Sequence, residues 1–215
     1  MYTGTNRSFS YTTTDKKEHK TITWRVKAIA SDYNDSPWKT GADQKISDPP
    51  LKVTVWKPTD TGSWRSRDDW GWREDTNRVY QGAWYEPPWW GNHRGCVWFD
   101  YNSIRKTLAG KDIERVRIYF YRENTQHGYA SGQSIKLHTH NLASKPTDDD
   151  VRPNLTYVQG PFSSFNRGEG KWVTVSNKVA ERIRDGSATG IALYREDELG
   201  YLYMSPNIQL EVTYR

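Results

Sequence analysis

The sequence predicts an all-β protein: a C-terminal β-sandwich of jelly-roll type with two short helices, preceded by a shorter β segment. Three observations predict it. Apolar residues recur with period two in many short runs, the signature of half-buried strands. Gly, Pro, Asn, Asp and Ser clusters separate those runs. Apolar residues are only 34% of the 215-residue chain and mean hydropathy is −0.96, yet 11 Trp, 14 Tyr and 5 Phe are present. Each buried aromatic ring removes about 150–250 Å² from water, so a few of them support a thin core. Disordered chains are poor in aromatics.

Residues 1–57 read as a β segment. SFSYTTTD is a weak strand. TITWRVKAIA sets Ile22, Trp24, Val26 and Ala28 on one face and Thr23, Arg25 and Lys27 on the other. SDYNDSPW is a turn, and LKVTVW sets Leu51, Val53 and Val55 on one face of the next strand. Residues 58–68 carry Pro, Thr, Gly and Ser and read as a linker; residues 69–215 read as the sandwich. In RVRIYFY, Val116, Ile118 and Phe120 point inward and Arg115, Arg117, Tyr119 and Tyr121 outward. SIKLHTH sends Ile135 and Leu137 inward and Lys136, His138 and His140 outward. KWVTV, GIALY and YLYM are further strands, and IQLEVTY alternates Ile208, Leu210, Val212 and Tyr214 against Gln209, Glu211 and Thr213. Asn102–Ala109 and Ser176–Asp185 each carry apolar residues at i, i+4 and stop at a glycine, Gly110 and Gly186, as single helices do.

Two resemblances follow from these residues. Trp24-Arg25-Val26-Lys27-Ala28, then Ser36-Pro37-Trp38, then Leu51–Val55 resembles the last strands of a fibronectin type III domain. The opening strands of such a domain are missing. The resemblance therefore implies completion by the second domain or by a neighbouring chain. In residues 78–215, Arg94, Phe99, Asp100 and Ser103, with Ser205-Pro206-x-Ile208-x-Leu210-x-Val212-x-Tyr214 near the end, resemble the DNRLRE-type domain. That family is similar to carbohydrate-binding modules and occurs in secreted bacterial surface proteins and phage tail proteins. Its namesake hexapeptide is absent here. Together the resemblances imply a minor tail or tail-tip protein: part of a virion, symmetric and homo-oligomeric as a trimer or hexamer, with other tail proteins and a host-surface glycan as partners. The alternative they imply is an extracellular carbohydrate-binding module.

The densest feature is a run of tryptophans. Seven of the eleven lie between 64 and 98, among Arg, Asp, Glu, Gly and Pro. Trp98 sits in a patterned strand and is expected in the core. Trp70, Trp72, Trp89 and Trp90, with Arg73 and Tyr85, are the candidate contacts to a glycan or protein partner. An indole stacks on the apolar face of a pyranose while nearby polar groups take its hydroxyls, and Trp, Tyr and Arg are the usual interface anchors. The competing reading is that long loops fold these rings into a second small core.

Other chemistry has less support. The net charge of +5 is spread among 26 acidic and 31 basic residues, unlike the one-sided basic patch of nucleic-acid binders, so no nucleic-acid partner is expected. No apolar run reaches the ~18 residues of a membrane span. The segment after Met1 has neither a basic start nor an apolar stretch, so no signal peptide is expected. Cys96 is the only cysteine, which rules out an intramolecular disulfide framework; within GCVWF it reads as a small buried hydrophobe. Asp68-Asp69, Glu74-Asp75, Glu86 and Asp148-Asp149-Asp150 read as solvated loop charges rather than a glycosidase pair. His138 and His140 share a strand face and read as solvated imidazoles rather than a metal pair. Asp148–Asp150 and Asp32–Asn34–Asp35 are the oxygen-rich loops where a structural calcium would sit, but neither has EF-hand spacing. No catalytic residue, resident metal or other cofactor is expected, nor any phosphate-cradling or nucleophile-elbow motif.

Overall fold

The structure, a computed structural model, describes residues 21–22, 25–27, 38–42, 44–45, 48–66, 71–73, 78–84, 91–124, 132–196 and 200–215. The SFSYTTTD and SDYND segments lie outside them. The chain divides into two units, Met1–Pro50 and Leu51–Arg215.

In the first unit, β1 (Thr21–Ile22) pairs antiparallel with β4 (Gln44–Lys45), and β2 (Arg25–Val26) with β3 (Lys39–Thr40). Arg25 and Lys27, on one side of the alternation, lie 5.9 and 5.3 Å from the centre of the Trp38 ring.

The second unit is an all-β sandwich with two short helices. Its smaller sheet has the order β13-β10-β16-β5, all antiparallel: β13 (Gly170–Val175), β10 (Ile113–Tyr121), β16 (Gln209–Tyr214) and β5 (Lys52–Trp56). The larger sheet runs β12 (Leu155–Phe165), β11 (Gln133–His140), β14 (Gly190–Leu193), β9 (Gly91–Phe99), β6 (Pro58–Ser66) and β7 (Gly71–Trp72). A branch, β8 (Val79–Trp84) with β15 (Leu202–Met204), joins it at the first half of β9. Between the sheets lies the main core. Val97, Phe99, Ile135, Leu137, Ile191 and Leu193 come from the larger sheet, and Val116, Ile118, Phe120, Val173, Val175, Leu210 and Val212 from the smaller. This is the inward set that the period-two pattern predicts for β10, β11 and β16.

Helices α1 (Tyr101–Leu108) and α2 (Lys178–Asp185) pack on each other and bury Ile104, Leu108, Val179, Ala180 and Ile183 in the same core. The Asp100 carboxylate accepts the Ser103 N–H at 2.9 Å and caps α1. Gly186, at φ 87°, closes α2 in the left-handed region. Asn177 holds the N-cap position of α2, and Ser176 Oγ accepts the Lys178 N–H at 3.3 Å.

The boundary predicted from sequence needs correcting. Residues 58–66 are not linker but β6, paired along β9 from Pro58↔Phe99 to Ser66↔Asn92. Residues 52–56 belong to the second unit, where β5 pairs with β16. Thr and Ser in this stretch read as turn formers, yet β-branched Thr is at home in a strand. Gly62 fits a closely packed spot, where a Cβ would lie 3.2 Å from the Lys145 side chain and 3.3 Å from the Trp72 ring.

Candidate functional site

Three arrangements concentrate chemistry-bearing side chains in the second unit. The first is built from tryptophans. On the face of the larger sheet opposite the main core, Trp64 (β6), Trp72 (β7), Cys96 and Trp98 (β9) and Ala192 (β14) form a second core, with Leu142 and Leu155 against it. The rings of Trp72 and Trp98 are 5.6 Å apart. Residues 141–153 cross this face, and each indole N–H holds one of their carbonyls. Trp98 Nε1 donates to Leu142 O at 2.8 Å, Trp64 Nε1 to Asp149 O at 3.1 Å and Trp72 Nε1 to Val151 O at 3.1 Å. Arg94 adds a bond to Pro153 O at 2.9 Å, and Asp149 Oδ1 accepts the Trp72 N–H at 3.2 Å. Buried indole N–H groups need partners, and this loop supplies them. Trp72 is therefore 7% exposed and presents no open ring face. Trp70, Tyr85, Trp89 and Trp90 lie outside the described residues, as do Asp68, Asp69, Glu74, Asp75 and Glu86.

The neighbouring strands explain the two histidines. The expected solvated face is buried: His138 and His140 are each 2% exposed, because the outer side of β11 faces the indoles and rings of its neighbours. His140 Nε2 donates to Val97 O at 3.1 Å with its ring 5.0 Å from Trp98. Burial pushes its pKa down to about 4, against the weaker raising effect of the Val97 carbonyl. His138 sits between Tyr157 and Tyr194, with Nε2 3.3 Å from Glu196 Oε1. Burial lowers its pKa despite that carboxylate. Glu196 itself is held down at about 2: burial opposes ionisation, but Lys136 Nζ at 2.6 Å, its own backbone N–H and His138 together overcome it. Cys96 is fully buried and its thiol pKa is raised by desolvation, the state of an inert packing residue. No group of three or more metal-ligating side chains occurs among the described residues.

A second arrangement holds Arg73, the remaining described candidate. Its guanidinium lies 4.3 Å from the centre of the Tyr80 ring and 3.3 Å from His93 Nε2. Tyr80, Tyr201 and Tyr203 form a small buried cluster, with Arg78 4.8 Å over Tyr203. These rings tie β8 and β15 to β9.

The third arrangement is the open face of the smaller sheet. Period two sends Trp172 and Thr174 (β13), Arg115, Arg117 and Tyr119 (β10), Gln209, Glu211 and Thr213 (β16), and Val53 and Val55 (β5) to this side. Arg117 binds Glu211 with both forks, Nε–Oε1 and Nη2–Oε2 each 2.8 Å, and its guanidinium lies 5.2 Å from the Trp172 ring centre. Those bonds hold the Glu211 carboxyl below the usual carboxylate range, with Arg115 3.9 Å away. Tyr119 stands 5.6 Å from Trp172. Of the seven large apolar side chains exposed among the described residues, four are here: Leu51, Val53, Val55 and Trp172. Sequence reasoning placed Arg115, Arg117 and Tyr119 outward but did not single out Trp172. The available signal was Trp172 opposite Tyr119, on the parity of two strands that faces away from Val116, Ile118, Phe120, Val173 and Val175. Sequence reasoning grouped Leu51, Val53 and Val55 on one face of their strand without saying which face is inside. They point out because Trp56, on the other parity, takes the core position beside Leu210.

No helix among the described residues is long and apolar enough to cross a membrane. No protein-family model matches this chain, and no curated protein matches it.

Proposed function

We propose that the protein is a non-enzymatic structural and adhesion component of a phage tail, at the tip or on an appendage, which acts by contact through the open face of its smaller sheet. The observation that carries this reading is the set of exposed apolar side chains on the outer side of the smaller sheet, Leu51, Val53 and Val55 along the β5 edge and Trp172 on the opposite edge strand β13, with Arg117 and Glu211 between them. Antiparallel sheets that face water are ordinarily polar on that side, and apolar patches on soluble domains mark interaction sites. The charged centre of the patch, Arg117 with Glu211, is pre-organised by its own ion pair, which suits a surface that must keep its shape when a partner docks. Assembly with tail neighbours and attachment to a host surface are the two uses of such a face in this reading.

A second reading, a carbohydrate-binding module of a bacterial surface protein or polysaccharide-degrading enzyme, is favoured by the Trp172–Tyr119 corner. There an exposed indole adjoins Arg117, Gln209 and Thr174, the mix of ring and hydrogen-bonding groups that a sugar needs. One experiment addresses both: retention of the protein on intact bacterial envelopes and on insoluble polysaccharides, with and without Trp172→Ala. Retention on envelopes that falls at least tenfold in the variant, at unchanged thermal stability, is the expected result. Retention on purified polysaccharide alone favours the module. Release of reducing sugar, or envelope retention indifferent to Trp172, overturns the proposal.

A further inference from the structure

We propose that the free edge of β5 pairs with β5 of a second copy of this chain, antiparallel about Thr54, to form a twofold homodimer whose smaller sheets become one continuous sheet. Among the described residues, strand β5 is the end of its sheet, hydrogen-bonded to β16 on one side only. An edge strand exposes a row of unpaired N–H and C=O groups, a template for another strand, and folds usually blunt such edges with charge, bulges or Pro. Here the five residues from Lys52 to Trp56 contain no Pro. Their pairing with β16 is regular from Trp56 to Lys52, and their outward side chains are valines.

The occupant follows from the sequence of the strand. Lys52-Val53-Thr54-Val55-Trp56 is nearly symmetric about Thr54. In antiparallel pairing centred there, Val53 meets Val55 of the second copy, Thr54 meets Thr54, Lys52 meets Trp56, and Leu51 meets Lys57. Leu51, Val53 and Val55, now 57%, 56% and 45% exposed, would form a shared apolar strip of six side chains across the twofold axis. The electrostatics select this register. The strand and its flank carry two cations, Lys52 and Lys57, and no acid. Parallel in-register pairing would set each lysine against its own copy, and like charges directly opposite are destabilising. The antiparallel register sets Lys52 opposite the core-facing Trp56 and leaves no two lysines opposed. An isologous contact of this kind is self-closing and stops at two copies. Five paired residues make a small interface, below the roughly 1,200 Å² of stable complexes, so the dimer is expected to be concentration-dependent.

This goes beyond the adhesive reading and is tested apart from it, by mass rather than by retention on envelopes. Sedimentation equilibrium or native mass spectrometry of the full chain, across about 1–500 μM, is expected to show a monomer of 25.1 kDa passing to twice that mass. Val53→Lys with Val55→Lys places lysines opposite each other across the axis and should raise the dimer dissociation constant at least tenfold. Val53→Glu with Val55→Lys places opposite charges across the axis and should restore association to within about threefold of the parent. Both positions are exposed, so thermal unfolding should be unchanged in either variant. A chain monomeric at every concentration, an oligomer other than two, or a dimer equally tolerant of both double variants overturns the proposal.

Discussion

His140 shows how a single side chain reports the packing around it. Its ring lies between the Val97 carbonyl and the Trp98 indole, and Thr189 Oγ1 donates its own proton to Leu142 O at 2.6 Å. Burial disfavours the charged ring, and the folded pKa falls to about 4 from 6.5. The sign follows from linkage. Below pH 6.5 the unfolded chain binds a proton at this residue that the folded chain refuses, so stability is full above 6.5 and drains away as pH falls toward 4. Between pH 7 and 4.5 this residue alone should account for a loss of roughly 2–3 kcal/mol. His138, also lowered, adds loss of the same sign. Urea unfolding at the two pH values should therefore show a smaller acid loss in His140→Gln, whose amide donates to Val97 but does not titrate. An equal loss in parent and variant would assign the acid sensitivity elsewhere. The histidines also mark a limit of sequence reading. Their shared parity on β11 was legible, but what covers that parity was not. Tyr157 and Tyr194 cover His138 and Trp98 covers His140; the layer beyond the tryptophans, residues 141–153, has no periodicity, and its attachment is three indole N–H bonds whose donors lie 44 to 85 residues away in sequence.

At the scale of elements, β14 is the tightest fit. Gly190 pairs with Trp98 on one side and His140 on the other, and a Cβ on it would collide with the Val97 carbonyl oxygen and the His140 ring. A rigid backbone atom has no rotamer to escape into, so Gly190→Ala should cost about 1–3 kcal/mol or more, read as a drop in the urea midpoint at unchanged m-value. Gly110, by contrast, has nothing within 4 Å of the same position, but its φ is +65°. Gly110→Ala should cost about 1–2 kcal/mol of backbone strain and no clash. Reversal of that order would mean the larger sheet relaxes around Gly190. The elements differ in how plainly the chain announces them. Both helices were legible because their signals are local: apolar residues one turn apart, a side-chain cap at Asp100, a left-handed glycine at Gly186. Strand β5 was legible as a strand, but which of its faces is buried was not: alternation reports two faces without saying which is inside, and here the single Trp56 reaches the core while both valines stay exposed.

For the whole molecule, the decisive question is where the folding unit begins. Composition set its start at residue 69, after a stretch of Pro, Gly, Ser and Thr; the packing sets it at Leu51. The difference is two strands. β5 is the second neighbour-bearing edge of β16 and supplies Trp56 to the main core, its Nε1 bonded to Ser103 Oγ of α1 at 3.2 Å. β6 covers one edge of β9 over its length and supplies Trp64 to the second core, where it is 1% exposed. Losing a buried Trp side chain alone costs about 3–5 kcal/mol, a large part of the 5–15 kcal/mol that holds a typical domain together. A chain starting at 69 loses two such side chains and leaves β9 and β16 with bare edges. The main and second cores lie wholly within 51–215, so a fragment of residues 51–215 should unfold cooperatively, with the urea midpoint of the corresponding transition in the full chain. A fragment of residues 69–215 should be insoluble, or should retain far-ultraviolet β signal without near-ultraviolet tryptophan signal. Cooperative unfolding of the shorter fragment at the same midpoint would show that the two N-terminal strands are dispensable, and would return the boundary to where composition placed it.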